Sequence, residues 1–131
     1  MPSLPTALTL ATLIATTSMV VSADSFLNNM TSRDGLPRCP AIIGMAAACG
    51  FDKIADQLAD VCSAYWRRIY HLDEFDLSRP IQKQSFDDIH GMYAKNFHEG
   101  VEWVTGGTIE CSTVQRVAPA QLDALRKALR D

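Results

Sequence analysis

No Cys-x-x-Cys, no His-Glu-x-x-His and no Gly-x-Ser-x-Gly occurs anywhere in the chain. The first absence removes the paired-ligand spacing of structural zinc and the thioredoxin-like redox motif. The second removes the helical zinc-protease site, and the third the nucleophile elbow of serine hydrolases. Charge is scarce as well: the first 23 residues hold no Asp, Glu, Lys or Arg, and the whole chain carries a net charge of -3. So mild an acidity offers nothing to attract nucleic acid or an anionic membrane surface. Internal repeats and low-complexity tracts are missing too, which excludes solenoids and disordered linkers of biased composition.

The uncharged opening, "MPSLPTALTLATLIATTSMVVSA", has the character of an export signal. Its apolar centre runs into Val21-Ser22-Ala23, whose small residues resemble a signal-peptidase site and would release a chain beginning at Asp24. No Lys or Arg stands near Met1, so an uncleaved anchor is the alternative, since about 20 apolar residues can span a bilayer. Three parts follow from this reading: a signal peptide over 1–23, a flexible N-terminal segment over 24–38, and a helical domain over 39–131. "DSFLNNMTSRDGLPR" is assigned to the flexible segment because Asp-Gly and Pro mark turns and its apolar residues keep no period. Within it, Asn29-Met30-Thr31 fits a glycosylation acceptor.

What the remainder does contain is helical periodicity. "PAIIGMAAA", from Pro40 to Ala48, is apolar all round, with proline suited to a first turn and Gly50 to the position just past the end. Such a helix must be covered on most sides. Ile54, Leu58, Val61, Tyr65, Ile69 and Leu72 form one stripe of a second helix, which Asp52 is placed to cap. "HLDEFDLSRPIQKQ" loses the period and reads as a connection. A third helix follows from a weak capping box at Ser85 and Asp88, with Phe86, Ile89, Tyr93, Phe97, Val101 and Val104 on its stripe, and Gly106-Gly107 ends it. "TIECSTVQRV" is ambiguous, and Pro119 opens a short last helix bearing Leu122, Leu125 and Leu129. Arg126, Lys127 and Arg130 sit where the helix dipole favours cations. The expected fold is all-α: a small disulfide-stabilised bundle of three main helices and a short C-terminal one.

Four cysteines in an exported chain of this size point to two disulfides. A helix between Cys39 and Cys49 would hold them about 15 Å apart, at 1.5 Å per residue, beyond the ~7 Å that a disulfide spans. Cys49 and Cys62 meet the same objection. Cys39 and Cys62 lie symmetrically about Gly50-Phe51, so a helical hairpin turning there brings them level and leaves Cys49 for Cys111.

Few side chains suggest chemistry. His98 and Glu102 stand one helical turn apart and His90 lies eight residues before His98, a metal or small-enzyme reading that the spacing supports only as a half-site. His71 with Asp73, Glu74 and Asp76 would make an acidic loop, without the spacing of a calcium-binding hand. Asp87 and Asp88 are adjacent and point apart, a poor acid/base couple, and no cofactor is implied. "AYWRRIYHLDEF" is the more suggestive stretch. Trp66, Arg67 and Tyr70 are of the residue types that dominate binding hot spots, and with them the candidate interface is placed. The competing reading has Trp66 covering the bridge at Cys62 and Tyr70 packing under the following loop. Trp103, beside Glu99, invites the same two readings.

By size, export and helix content alone, the chain resembles small disulfide-bonded helical proteins of the bacterial periplasm, among them acid-stress chaperones and immunity proteins; no functional residue carries over from so general a likeness. The function expected is a non-enzymatic protein-binding module, periplasmic or extracellular, whose partner is another protein rather than nucleic acid or, after signal cleavage, a membrane. Metal binding or enzymatic use of His90, His98 and Glu102 is the alternative. Peptide mapping without reductant should return Cys39 joined to Cys62 and Cys49 joined to Cys111; a Cys39–Cys49 peptide would overturn the hairpin.

Overall fold

The computed structural model describes residues 34–131. The signal segment, its cleavage point and the Asn29-Met30-Thr31 acceptor lie outside the described residues. Four α-helices are present and no strand forms among the described residues: α1 (Cys39–Ala48), α2 (Asp52–Ile69), α3 (Pro80–Thr105) and α4 (Cys111–Arg130). Single 3-10 turns precede α1, at Leu36–Arg38, and follow α2, at Leu72–Glu74.

Every residue of α1 from Cys39 to Ala46 is buried, as its unbroken apolar composition requires. It packs against each of the other three helices, most extensively against α3. That contact is made backbone to backbone. A Cβ on Gly100 of α3 would collide with the Ala41 carbonyl, and one on Gly44 of α1 with the Phe97 carbonyl, so only glycine lets the two helices approach this closely. The α1–α2 turn is a Schellman motif: Gly50, at φ +77°, sits just past the helix, its amide donates to the Ala47 carbonyl at 3.0 Å, and the Phe51 amide donates to Ala46 at 2.9 Å.

The hairpin brings Cys39 level with Cys62, with α-carbons 5.9 Å apart, and Cys49 joins Cys111 across 5.6 Å. One bridge holds the start of α1 to α2, the other its end to the start of α4. Closing loops of 23 and 62 residues stabilises by roughly 3 and 4 kcal/mol in the chain-entropy picture, less than their sum because the loops overlap. Two disulfides suit an oxidising, non-cytoplasmic environment, and among the described residues no helix is long and apolar enough to cross a membrane.

Four expectations need correction. Leu36–Arg38, assigned to the flexible segment, forms the first 3-10 turn, with Leu36 only 5 % exposed in the core; burial of one leucine outweighs the local turn signals. Asp52 is the first residue of α2 and makes no capping hydrogen bond, so it acts on the dipole alone. The third helix begins at Pro80 rather than Ser85, because proline's missing donor costs nothing in a first turn; the Ser85 hydroxyl donates back to the Ile81 carbonyl at 3.2 Å instead of capping. Finally, the last helix is not short. It has 20 residues and takes in Pro119. Pro119 and Gln115, whose carbonyl loses its helical donor there, are both exposed, so the proline sits on the solvent side of the helix, where a missing bond costs least. Its carboxyl end is held from outside as well: Arg68 of α2 donates to the carbonyls of Ala128 and Leu129, each at 3.0 Å.

The core gathers Ile42, Met45, Leu58, Val114 and Leu125, all fully buried. Gln121 is the one buried polar side chain among the described residues, and neither of its amide atoms has a hydrogen-bond partner. Gly100→Ala should destabilise the fold by about 2 kcal/mol or more, because two backbones must separate. Gly91→Ala on the same helix, where an added methyl meets nothing within 4 Å, should stabilise it by about 0.5 to 1 kcal/mol. Chemical denaturation of the two variants checks both signs.

Candidate functional site

Helix α3 is 26 residues long and only Gly100 in it is buried. At about 1.5 Å per residue it far outreaches α1, so α1 covers its carboxyl half and leaves the apolar side chains of its amino half to find other company. Phe86, Ile89 and Tyr93 turn towards the end of α2 and are half-buried there. Between them and α2 lies a cavity of about 330 Å³. Trp66 forms its inner wall, Phe86, Ile89 and Tyr93 the wall from α3, and Leu72 and Asp73 of the intervening 3-10 turn close one end, with Arg67, His90 and Ser63 at the margins.

The aromatic rings are held firmly. Trp66 is 3 % exposed, its Nε1 donates to the Pro37 carbonyl at 2.9 Å, and the Tyr93 ring meets it edge-on at 5.1 Å and 82°. Phe86 is set between Phe75, 6.0 Å away and nearly perpendicular, and the His90 ring at 4.3 Å. The connection over the cavity is pinned by Asp76. Its Oδ1 accepts from the Ser78 amide and hydroxyl at 3.1 and 2.6 Å, its own amide donates to Gln82 Oε1 at 2.7 Å, and the Ser78 hydrogen bonds hold its carboxyl below the usual value. His71, at φ 53°, takes the left-handed turn that carries the chain out of α2.

Of the three side chains proposed as an interface, the structure brings two to the cavity. Trp66 is interior, a wall rather than an exposed anchor, so of its two sequence readings the inward-packing one fits; a large ring on the buried flank of α2 excludes more water by packing inwards. Arg67 stands at the margin, 56 % exposed, its Nε 3.8 Å from Asp73 Oδ1. Tyr70 packs on Trp66 at 4.8 Å and is not among the lining residues. Trp103 is half-buried against the core, and Glu99 lies 3.9 Å from Arg38. Phe86, Ile89 and Tyr93 were read from sequence as plain core stripe. The signal that could have singled them out was length: a stripe from Phe86 to Val104 is too long for a ten-residue partner helix to cover.

The metal reading is not assembled. Among the described residues no three His, Cys, Asp or Glu side chains form a group able to hold an ion. His90 and His98 are separated by about 12 Å of helix rise, and the His98 ring rests against Phe97 at 5.7 Å. Nor do the acidic residues of the connection converge: Asp73 faces Arg67, Glu74 lies 3.6 Å from His71, and Asp76 is taken by Ser78. A second, shallower groove runs along Phe51, Ile54, Ala118 and Pro119, without the ring walls of the first. Comparison with protein families, with curated proteins and with solved structures returns no match, so the functional argument rests on geometry.

Burial pushes the Tyr93 hydroxyl above its ordinary value of 10.0, partly offset by hydrogen bonding to Ser63. A group raised in this way contributes stability below the pKa of the unfolded chain and loses it as pH rises through the folded pKa. Unfolding free energy should therefore fall more steeply above pH 10.0 in the native protein than in Tyr93→Phe, as denaturant titrations at pH 8 to 11 will show.

Proposed function

We propose that this protein is an exported, non-enzymatic protein-binding module acting in the periplasm or outside the cell, as an inhibitor, immunity protein, chaperone or secreted effector. The observation that carries the reading is the amino half of α3. A disulfide-pinned scaffold presents along it a ring-walled cavity and, on the same half-helix, Ile81 at 83 % exposure and Met92 at 44 %, with Leu77 at 48 % in the connection before it. Isolated exposed apolar residues are ordinary; two on the amino half of one helix and a third in the connection just before it mark an interaction surface. The pinned core supplies the rigidity that keeps such a surface from costing ordering entropy on binding.

Affinity capture from the native organism's envelope or culture fluid is the means of finding the partner, and variants then test the face. Ile81→Asp and Met92→Asp should leave stability within about 0.5 kcal/mol, since neither side chain is buried, and should weaken the captured partner at least about tenfold. Unchanged affinity in both variants would defeat this assignment.

A further inference from the structure

We infer that the Cys49–Cys111 bridge is a site of thiol–disulfide exchange with a dithiol reductant, and that its opening frees residues 109–118, one wall of the groove between α2 and α4. The two bridges differ in access. Cys39 and Cys62 are both 0 % exposed, whereas Cys49 and Cys111 are each only half-buried. Exchange begins with attack of a thiolate on a disulfide sulfur, so a sealed bridge reacts after the fold opens and an accessible one reacts within it. The helix ends give the attack a direction. Cys49 caps the carboxyl end of α1, where the dipole opposes a thiolate, and Cys111 is the first residue of α4, where the dipole favours one. Glu110 opposes that preference, but from an exposed position where water and salt screen it. The reductant's thiolate therefore bonds to Cys49 Sγ while the Cys49–Cys111 bond breaks and its electron pair leaves on Cys111. The second thiolate of the reductant then displaces Cys49 from the mixed disulfide. The dithiol is oxidised to its disulfide, and its two protons pass to the two cysteine thiols.

What the bridge holds follows from the chain on either side of Cys111. Upstream lies Gly106-Gly107, with Gly107 at φ +80°, and downstream Pro119, where α4 lacks one of its own hydrogen bonds. Two interruptions of helical bonding thus bracket 109–118, with the covalent clamp between them. Past Pro119 the helix has separate anchors: Leu122 and Leu125 lie in the core, and Arg68 donates to the Ala128 and Leu129 carbonyls. Helix α1 likewise keeps Cys39–Cys62, its glycine contacts with α3 and the Schellman turn. Loss of the second bridge is therefore local, confined to a stretch whose buried side chains are Ile109, Val114 and Ala118. That stretch supplies Gln115 and Ala118 to the groove, across from Phe51 and Ile54. Its release uncovers apolar surface on both sides, so the availability of this surface follows the thiol balance around the protein.

The test is a timed reaction of the native protein with dithiothreitol, quenched with iodoacetamide and mapped by peptide mass spectrometry. Cys49 and Cys111 should be alkylated about tenfold or more faster than Cys39 and Cys62, through a two-thiol species in which Cys39–Cys62 is intact. In that species hydrogen exchange should quicken about tenfold or more over 109–118 and stay within about twofold of the oxidised protein over 39–46 and 121–126. Glutathione, a monothiol, should be trapped on Cys49 rather than on Cys111. In Pro119→Ala, a change at an exposed position, helical bonding continues through residue 119, and exchange over 115–118 in the two-thiol species should be about threefold or more slower than in the native sequence. Alkylation of Cys39 and Cys62 first, or together with the other pair, overturns the exchange site. Protection lost along the whole chain once Cys49–Cys111 opens, or unchanged over 109–118, overturns the local release. Glutathione on Cys111 overturns the direction of attack, and equal exchange with and without Pro119 overturns that residue as the boundary.

Discussion

Helix α1 is ten residues long, carries almost no polar atom on its side chains, and is buried from Cys39 to Ala46. Alone in water such a segment is too short to hold a helix. It exists because its two ends are bonded covalently, Cys39 to α2 and Cys49 to the start of α4, and because Gly44 and Gly100 allow α3 to lie directly on its backbone. The rest of the molecule is arranged by that burial. Helices α2, α3 and α4 are amphipathic, and each finds in α1 the apolar surface it needs.

The shortness of α1 has its own consequence. It can face only part of α3, so the amino half of the longer helix leans on the end of α2 instead, across a space that side chains from the two helices only partly fill. Trp66, Tyr93 and Phe86 line that space as rigid rings, and the Asp76–Ser78–Gln82 hydrogen bonds hold the connection that closes it. The scaffold and the cavity are thus one arrangement: a central helix made very short and very apolar leaves a long neighbour with an open flank.

Where residue patterns are local, they could be read directly. Gly50 and Gly107 mark their helix ends because only glycine takes a positive φ without strain, at +77° and +80°. The cysteine pairing was legible because a helical hairpin fixes its own register. Elsewhere local rules competed with packing and lost. Ser85 and Asp88 looked like a helix start, yet Pro80 lies just upstream and the helix extends to it; Pro119 looked like a helix start, yet burial of Val114 and Ala118 on the same flank carries the helix through it. Trp66 belonged to a hot-spot composition, but composition does not say which way a side chain faces, and this one is committed to the interior by Pro37 and Tyr93.

Helix content, the central hairpin and the two disulfides were determined by the sequence itself, because periodicity, glycine placement and residue counting act over short stretches whose geometry is known in advance. Tertiary structure alone decided which half of α3 is covered, that Arg67 lies against Asp73, and that Phe86, Ile89 and Tyr93 share a cavity with Trp66. Those outcomes depend on the relative lengths and approach of helices distant in sequence, and on two close glycine contacts that set how α3 lies along α1, quantities that no stretch of residues carries by itself.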